Sequence, residues 1–156
     1  MAGIRYGLAA DGDLPAIRSL LVDCGLLAGG IELIAQNCLV AEVHSRLVGA
    51  VALEPYGRSA LLRSLAVAPD WRGRSLGREL YTRIISRARL LGLQQLYLLT
   101  IDAEKYFTSQ GFNVSNGAKR PRGFRRLSNS VIFVLRALFV WCETSPGRLS
   151  MLPGNC

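Results

Sequence analysis

Apolar residues recur at Leu14, Ile17, Leu20 and Leu21, three and four apart, so "DGDLPAIRSLLVDCG" is predicted to be a helix with one buried face. Asp11 or Asp13 can cap its start, Pro15 suits its first turn and Gly25 suits its end. "IRYGLA" before it reads as a short strand, and "GGIELIAQ" after it as a second, shorter helix. In "CLVAEVHSRLVGAVALEPYG" two apolar stretches flank a polar His44–Ser45–Arg46 turn, the pattern of a hairpin. "SALLRSLAVAP" is the next strand, stopped by Pro69. The strongest periodicity is in "GRSLGRELYTRIISRARLLG". Leu76, Leu80, Ile84 and Ala88 step by four, Tyr81, Ile85 and Leu91 widen the stripe, basic residues fill the opposite face and Gly92 fits the end. "QQLYLLT" is a strand, and "DAEKYFTSQG" a short helix capped by Asp102 and closed by Gly111. This order predicts an α/β fold with a mixed central sheet flanked by helices.

Composition narrows the function classes. The chain has 156 residues, half of them hydrophobic, enough for one domain with a real core. The N-terminus has no apolar segment of the signal-peptide kind. The longest apolar run, Val131 to Trp141, is about half the length of a bilayer-spanning helix and contains Arg136, so no membrane span is expected. Cys24, Cys38, Cys142 and Cys156 show no CxxC spacing, which suits free thiols in a reducing cytoplasm, with Cys24 and Cys38 packing. His44 is the only histidine and sits in a turn, which excludes a His-rich metal site; no metal is expected. The formal charge of +8 invites a nucleic-acid reading, but residues 1–114 hold 12 Lys and Arg against 10 Asp and Glu. Residues 115–156 hold 7 against 1. The body is nearly neutral and the tail makes the chain basic, so no specific nucleic acid is expected.

The segment that carries chemistry is "LRSLAVAPDWRGRSLGREL". A strand ends, the chain turns through Arg72, Gly73, Arg74, Ser75, Leu76 and Gly77, and the long helix begins. Unpaired N–H groups at a helix N-terminus carry partial positive charge and suit a phosphate, and glycine permits close approach. Arg72, Arg74 and Arg78 add charge. On spacing alone, a βα turn followed by a solvated basic face is the competing reading.

The segment resembles the GNAT N-acetyltransferases, whose pyrophosphate loop is (Gln/Arg)-x-x-Gly-x-(Gly/Ala) after a strand ending apolar-Val-x-Pro. Val67-Ala68-Pro69, Arg72, Ser75 and Gly77 stand in those places, with Ser75 where glycine is usual. The element order matches from Ile4 to Phe112, and "AEKYFTSQGF" is similar to the family's closing helix. The resemblance implies acetyl-CoA as acetyl donor, with Leu65, Ala66 and Val67 offering backbone to the pantetheine arm and Arg72 to Arg78 holding the pyrophosphate. It implies a small-molecule amine as acceptor, and allows a homodimer. "LVGAVALEPYG", "ALLRSLAVAP" and "LYLLT" further resemble a bacterial arsenic-resistance-associated branch, which says little about the acceptor.

Acetyl transfer to an amine needs a positioned neutral amine, stabilisation of the oxyanion and reprotonation of the thiolate. The family's usual acid, a tyrosine four residues before the glycine of "GF", is Phe107 here, and Tyr106 beside it is expected to pack. Thr100 replaces an asparagine common at the strand-to-helix junction, and by the resemblance Thr100 and Phe107 are both expected to line the cofactor site. Glu54, next to Tyr56 at the end of a strand, is the best candidate for a base or an acceptor-binding group. Arg63 and Ser64 lie in the strand that faces the acetyl group in the family. An arginine there needs an anion, either an acidic acceptor or Glu54.

Nothing after Val114 resembles the family's ending, which runs Arg-x-x-x-Pro, Ile-x-x-Thr-x-x-Phe, then Leu-Cys-Pro-x-Ser-Ala. With synonymous codons chosen to favour the match, Ser115 to Thr144 read from the third base contain "APEGIQATEQF" and "RDLCPASAVCM". The expectation is therefore a domain over residues 1–114 and an out-of-frame tail over 115–156. The final family strands would then be missing or non-native, and the tail poorly ordered or helical over "SNSVIFVLRALFVW". Acetyltransferase activity of the chain would then be impaired; the alternatives are an inactive remnant that only binds acetyl-CoA, and a nucleic-acid or membrane-surface binder acting through the basic tail.

Overall fold

The computed structural model describes residues 3–100, 104–109, 111–114, 131–136, 141–142 and 150–151. Strand β1 is Arg5–Leu8; helices α1 and α2 are Leu14–Asp23 and Ile31–Ile34; β2, β3 and β4 are Cys38–Val43, Arg46–Tyr56 and Ser59–Val67. Helix α3 is Leu76–Leu90, β5 is Gln95–Thr100 and α4 is Glu104–Ser109. Strands β6 and β7 are Asn113–Val114 and Val131–Arg136, and a separate two-stranded pair joins β8 (Trp141–Cys142) to β9 (Ser150–Met151).

Among the described residues the main sheet has seven strands in the order β1-β2-β3-β4-β5-β7-β6. All described pairings are antiparallel except β4 with β5, which is parallel and crosses over through α3. That parallel pairing is short: Ser59 to Leu62 face Gln95 to Leu98, and beyond Leu62 no described strand pairs with that edge of β4. The expected mixed α/β sheet is present, and the splay between β4 and β5 opens at its centre.

The periodic stripes drive the packing. Ile17, Leu20 and Leu21 of α1 are buried, as are Leu76, Leu80, Ile84 and Ala88 of α3 with Tyr81 and Ile85 beside them. Leu91, expected in the same stripe, is 45% exposed, because α3 ends at Leu90 and the chain turns at Gly92. Gly49 of β3 lies under α3. A Cβ there would come 2.8 Å from Leu80 Cδ1 and 3.4 Å from both Ala66 O and Leu76 Cδ2, so only hydrogen lets the helix settle this close. Arg63, paired across the ladder with Ala52, reaches instead to the α1–α2 connection, where its Nη2 donates to Gly29 O at 2.8 Å.

Local signals differ in detail from their sequence reading. Neither expected aspartate caps α1 by its side chain; Asp13 Oδ2 accepts from Ala10 N–H at 2.8 Å, within a 3-10 turn over Asp11–Asp13. The β2–β3 turn has two residues rather than three. His44 and Ser45 both take positive φ, and Arg46 already pairs with Val43. Asp102 lies outside the described residues.

Of the two expectations for residues 128–141, poor order or a helix, the helix is overturned at its centre: Val131–Arg136 is a strand, paired with β5 along its whole length from Gln95↔Arg136 to Thr100↔Val131. Six consecutive residues are of strand length, and an apolar run this short carries no periodicity that separates helix from strand. Where the final strands were expected to be missing or non-native, β7 covers the edge of β5, with β6 outside it. Arg120, Arg122, Arg125 and Arg126 lie outside the described residues.

Candidate active site

Glu54, Arg63 and Tyr56 come together on β3 and β4. Ala52 faces Arg63 and Glu54 faces Leu61 in the ladder, so Glu54 and Arg63 are diagonal neighbours on one face of the sheet. Arg63 Nη1 donates to Glu54 Oε2 at 2.8 Å and Tyr56 Oη donates to Glu54 Oε1. Both members of the ion pair are partly buried. Burial alone raises the pKa of the Glu54 carboxyl, but hydrogen bonds from Tyr56 and Arg63 and the guanidinium charge outweigh it, and the net shift is downward. The Tyr56 hydroxyl is pushed up to about 12 by burial and by its bond to Glu54, so it is a proton holder at neutral pH.

The direction of the Glu54 shift sets a pH dependence. A carboxyl depressed in the folded state adds stability above its unfolded pKa, and this is lost as pH falls through the folded value. The melting temperature is expected to fall as pH drops from about 5 to about 3, and Glu54→Gln should flatten part of that slope. Identical slopes for the parent and the variant in a calorimetric pH series would contradict the assignment.

Ser64 follows Arg63 in a β-bulge. Ala50 faces Ala66 while Ala52 faces Arg63, which leaves Ser64 and Leu65 both opposite Val51. Leu65 and Val67 are half-buried and Ala66 is buried. The Val67 carbonyl is not open. It accepts from Arg72 Nε at 3.2 Å and from the Cys24 thiol at 3.5 Å, and Arg72 Nη2 lies 3.6 Å from Cys24 Sγ. Sequence reasoning gave Cys24 only a packing role; nothing in its spacing places the end of α1 against the end of β4.

The turn into α3 is built from left-handed residues. Gly73 has φ 74° and Ser75 has φ 61°, ψ 11°. Ser75 makes no side-chain cap, and the first helical bond runs from Glu79 N–H to Ser75 O at 3.0 Å. The N–H groups of Leu76, Gly77 and Arg78 are therefore open at the positive end of a 15-residue helix. A Cβ on Gly77 would meet only Val67 Cγ2, at an ordinary 3.5 Å. Of the three loop arginines, Arg72 folds back onto β4 and Arg74 stacks on Trp71 at 4.9 Å. Arg78 is exposed and makes no ion pair among the described residues.

Ser75 holds a left-handed conformation that costs a non-glycine residue about 1 kcal/mol or more, with no cap to lose on substitution. Ser75→Gly is thus expected to raise the melting temperature by about 2–4 °C. A lowered midpoint would show that the hydroxyl contributes where no bond is seen.

Phe107 is buried on α4, edge-on to Phe112 at 5.8 Å between ring centroids, with Tyr81 of α3 at 6.4 Å from Phe112. It fills core and brings no polar atom to the splay. Thr100 ends β5; its side chain and that of Tyr106 lie outside the description. His44 is exposed in its turn. Gly29, whose carbonyl fixes Arg63, was not singled out; the "GG" of the α1–α2 connection was its only signal. Among the described residues no helix is long and apolar enough to cross a membrane, and no group of His, Cys, Asp and Glu could hold a metal ion.

The family model described as an acetyltransferase (GNAT) domain matches residues 35–114. The chain is 34% identical over 125 residues to an amino-acid acetyltransferase of Ralstonia nicotianae, covering 78% of this chain and 26% of that protein. A counterpart of the same name from Azotobacter vinelandii is 36% identical over 92 residues, 58% of this chain and 21% of that one. The chain spans about a quarter of the length of these curated relatives. Among solved structures, N-acetylglutamate synthase from Neisseria gonorrhoeae, complexed with coenzyme A and L-arginine, superposes with a TM-score of 0.75 and 26% identity, over 88% of this chain and 34% of that one. A GNAT-family acetyltransferase of Staphylococcus aureus superposes with a TM-score of 0.74 at 18% identity, over 88% and 100%. These relatives carry amino-acid acetylation in their names, where the sequence strings pointed to an arsenic-resistance-associated branch.

Proposed function

The chain belongs to the GNAT acetyltransferase family, and on that premise we propose that it transfers the acetyl group of acetyl-CoA to the amino group of a small amino acid. One observation carries the reading: the edge of β4 left open beyond Leu62 leads directly into the uncapped start of α3. The backbone of Leu65 and Ala66 can extend a hydrogen-bonded ladder to the pantetheine arm. The open N–H groups of Leu76, Gly77 and Arg78, with the Arg78 side chain, suit the pyrophosphate. Arg72 and Arg74 join them only by leaving Val67 and Trp71.

Glu54 and Arg63 lie on the neighbouring face and suit an acceptor bearing both charges. The carboxylate of Glu54 receives the amino group and takes up its proton, directly or through water. Arg63, held by Glu54 and Gly29, presents its remaining edge to the acceptor's carboxylate. The new N–C bond forms as the C–S bond breaks; the nitrogen gives up one proton and the sulfur takes one. The name shared by the relatives supports an amino acid over other amines. The arsenic-resistance-associated branch is the finer placement, and the strings quoted above are its support. Free Cys24 and Cys38 suit a cytoplasmic setting, and a homodimer belongs to the same proposal.

The test is thermal stabilisation by acetyl-CoA followed by thiol release with a panel of amino acids. At 100 times Kd the donor should add about 2.7 kcal/mol. No shift would sink the donor reading; a shift with no turnover would leave a binding protein without catalysis. Residues 115–156 we read as an out-of-frame tail; the family match ends at Val114, which supports it. The bases of codons 112–118 decide this, and the idea fails if they cannot be read as the shifted string.

A further inference from the structure

Glu54 has a second holder besides Arg63. Strand β3 ends Glu54-Pro55-Tyr56, and side chains two apart on a strand share a face. Pro55 locks its own φ and confines Glu54 before it to extended backbone, so the two side chains leave the strand in a fixed relation. The Tyr56 hydroxyl donates to Glu54 Oε1 while Arg63 Nη1 donates to Oε2 at 2.8 Å. One donor on each oxygen fixes the plane of the carboxylate as well as its place, and leaves each oxygen a lone pair for a further group. Ordering three such side chains costs conformational entropy, and a partly solvated ion pair returns little stability for it. The arrangement suits a carboxylate held ready for a ligand.

We propose that Tyr56 is a positioning residue of the acceptor site: its hydroxyl fixes the Glu54 carboxylate opposite Arg63, so that the free lone pairs of Glu54 meet the acceptor's amino group. The inference rests on the amino-acid transfer proposed above. Tyr56 acts through Glu54 and keeps its own proton. Burial and the bond to Glu54 push its hydroxyl up to about 12, well above an ordinary thiol. It is therefore not the acid that reprotonates the coenzyme A thiolate in place of the tyrosine that Phe107 replaces. Its contribution is orientation: an amino group received by a fixed carboxylate arrives at the acetyl carbon with less freedom left to lose.

The experiment compares the steady-state kinetics of the full chain with those of Tyr56→Phe, Glu54→Gln and the double variant, with acetyl-CoA as donor and the amino acid of highest turnover as acceptor. Tyr56→Phe keeps the ring and removes only the hydroxyl. It is expected to lower kcat/KM for the acceptor about three- to tenfold. The acetyl-CoA Kd by calorimetry should stay the same and the melting midpoint should stay within about 2 °C. In the Glu54→Gln background the same change should cost less than about twofold, because the anion that Tyr56 orients is gone. Equal losses in both backgrounds, parent kinetics in Tyr56→Phe, or a loss shared by acetyl-CoA affinity would each overturn the role of Tyr56 while leaving the transfer reading in place. A parent with no turnover on any amino acid would overturn that reading and this proposal with it.

Discussion

Glutamine in place of Glu54 is expected to lower kcat/KM for amino-acid acetylation about 100-fold, the range lost with a positioned acid–base group. The melting temperature at pH 7 should move by only about 2–4 °C. The carboxamide keeps the shape and an acceptor for Arg63 Nη1 or Tyr56 Oη, but loses the charge that faces the guanidinium. The pair is partly solvated, so its breaking costs less than that of a buried pair. A depressed carboxyl pKa makes Glu54 a lasting anion at neutral pH. That weakens it as a base for the free amine and leaves its charge to position the acceptor's amino group, whose single proton departs as the tetrahedral intermediate forms. Retention of more than about a third of the parent kcat/KM would reduce Glu54 to a structural partner of Arg63.

Valine in place of Gly49 is expected to have the largest effect on folding, a loss of about 2–3 kcal/mol, read as a fall of about 5–10 °C in the melting midpoint. The first added carbon already meets Leu80 Cδ1 at 2.8 Å and the Ala66 carbonyl at 3.4 Å. Leu80 is fully buried in the core cluster and can give way only by displacing its neighbours. The two further methyl groups would have to lift α3 from β3, and α3 carries the open N–H groups of Leu76, Gly77 and Arg78. Binding of acetyl-CoA should weaken with stability. A variant that melts within about 1 °C of the parent would show that the layer is looser than these distances imply.

The sheet and its helices were legible because their signals are repetitive. Ile17 with Leu21, and Leu76 with Leu80 and Ile84, declare buried faces that tertiary contacts only confirm. The turn into α3, the proposed phosphate site, was legible because Gly73 and the start of α3 leave a local trace. Non-local facts were not. Arg63 finds the Gly29 carbonyl 34 positions away, and Arg72 finds Cys24 48 positions away; no spacing rule reaches that far. The bulge at Ser64 was hidden for another reason. A serine in a strand of apolar neighbours looks like an ordinary polar position, and only the register of β3 against β4 reveals two residues opposite one. Val131–Arg136 was expected to be poorly ordered or helical because five consecutive apolar residues followed by an arginine fit either period.

The short parallel pairing of β4 with β5 has a consequence for how the molecule comes apart. Four residue pairs join the antiparallel strands β1 to β4 to the group of β5, β7 and β6. Native-state amide exchange should divide along that seam into two cooperative units, with β5 to β7 opening at lower free energy than the α1–β3–α3 layer. A molecule lying between β4 and β5 would bridge the units and bring their opening energies together. The proposed donor groove would then also be a fastener, and filling it would change the unfolding of the domain from two steps to one.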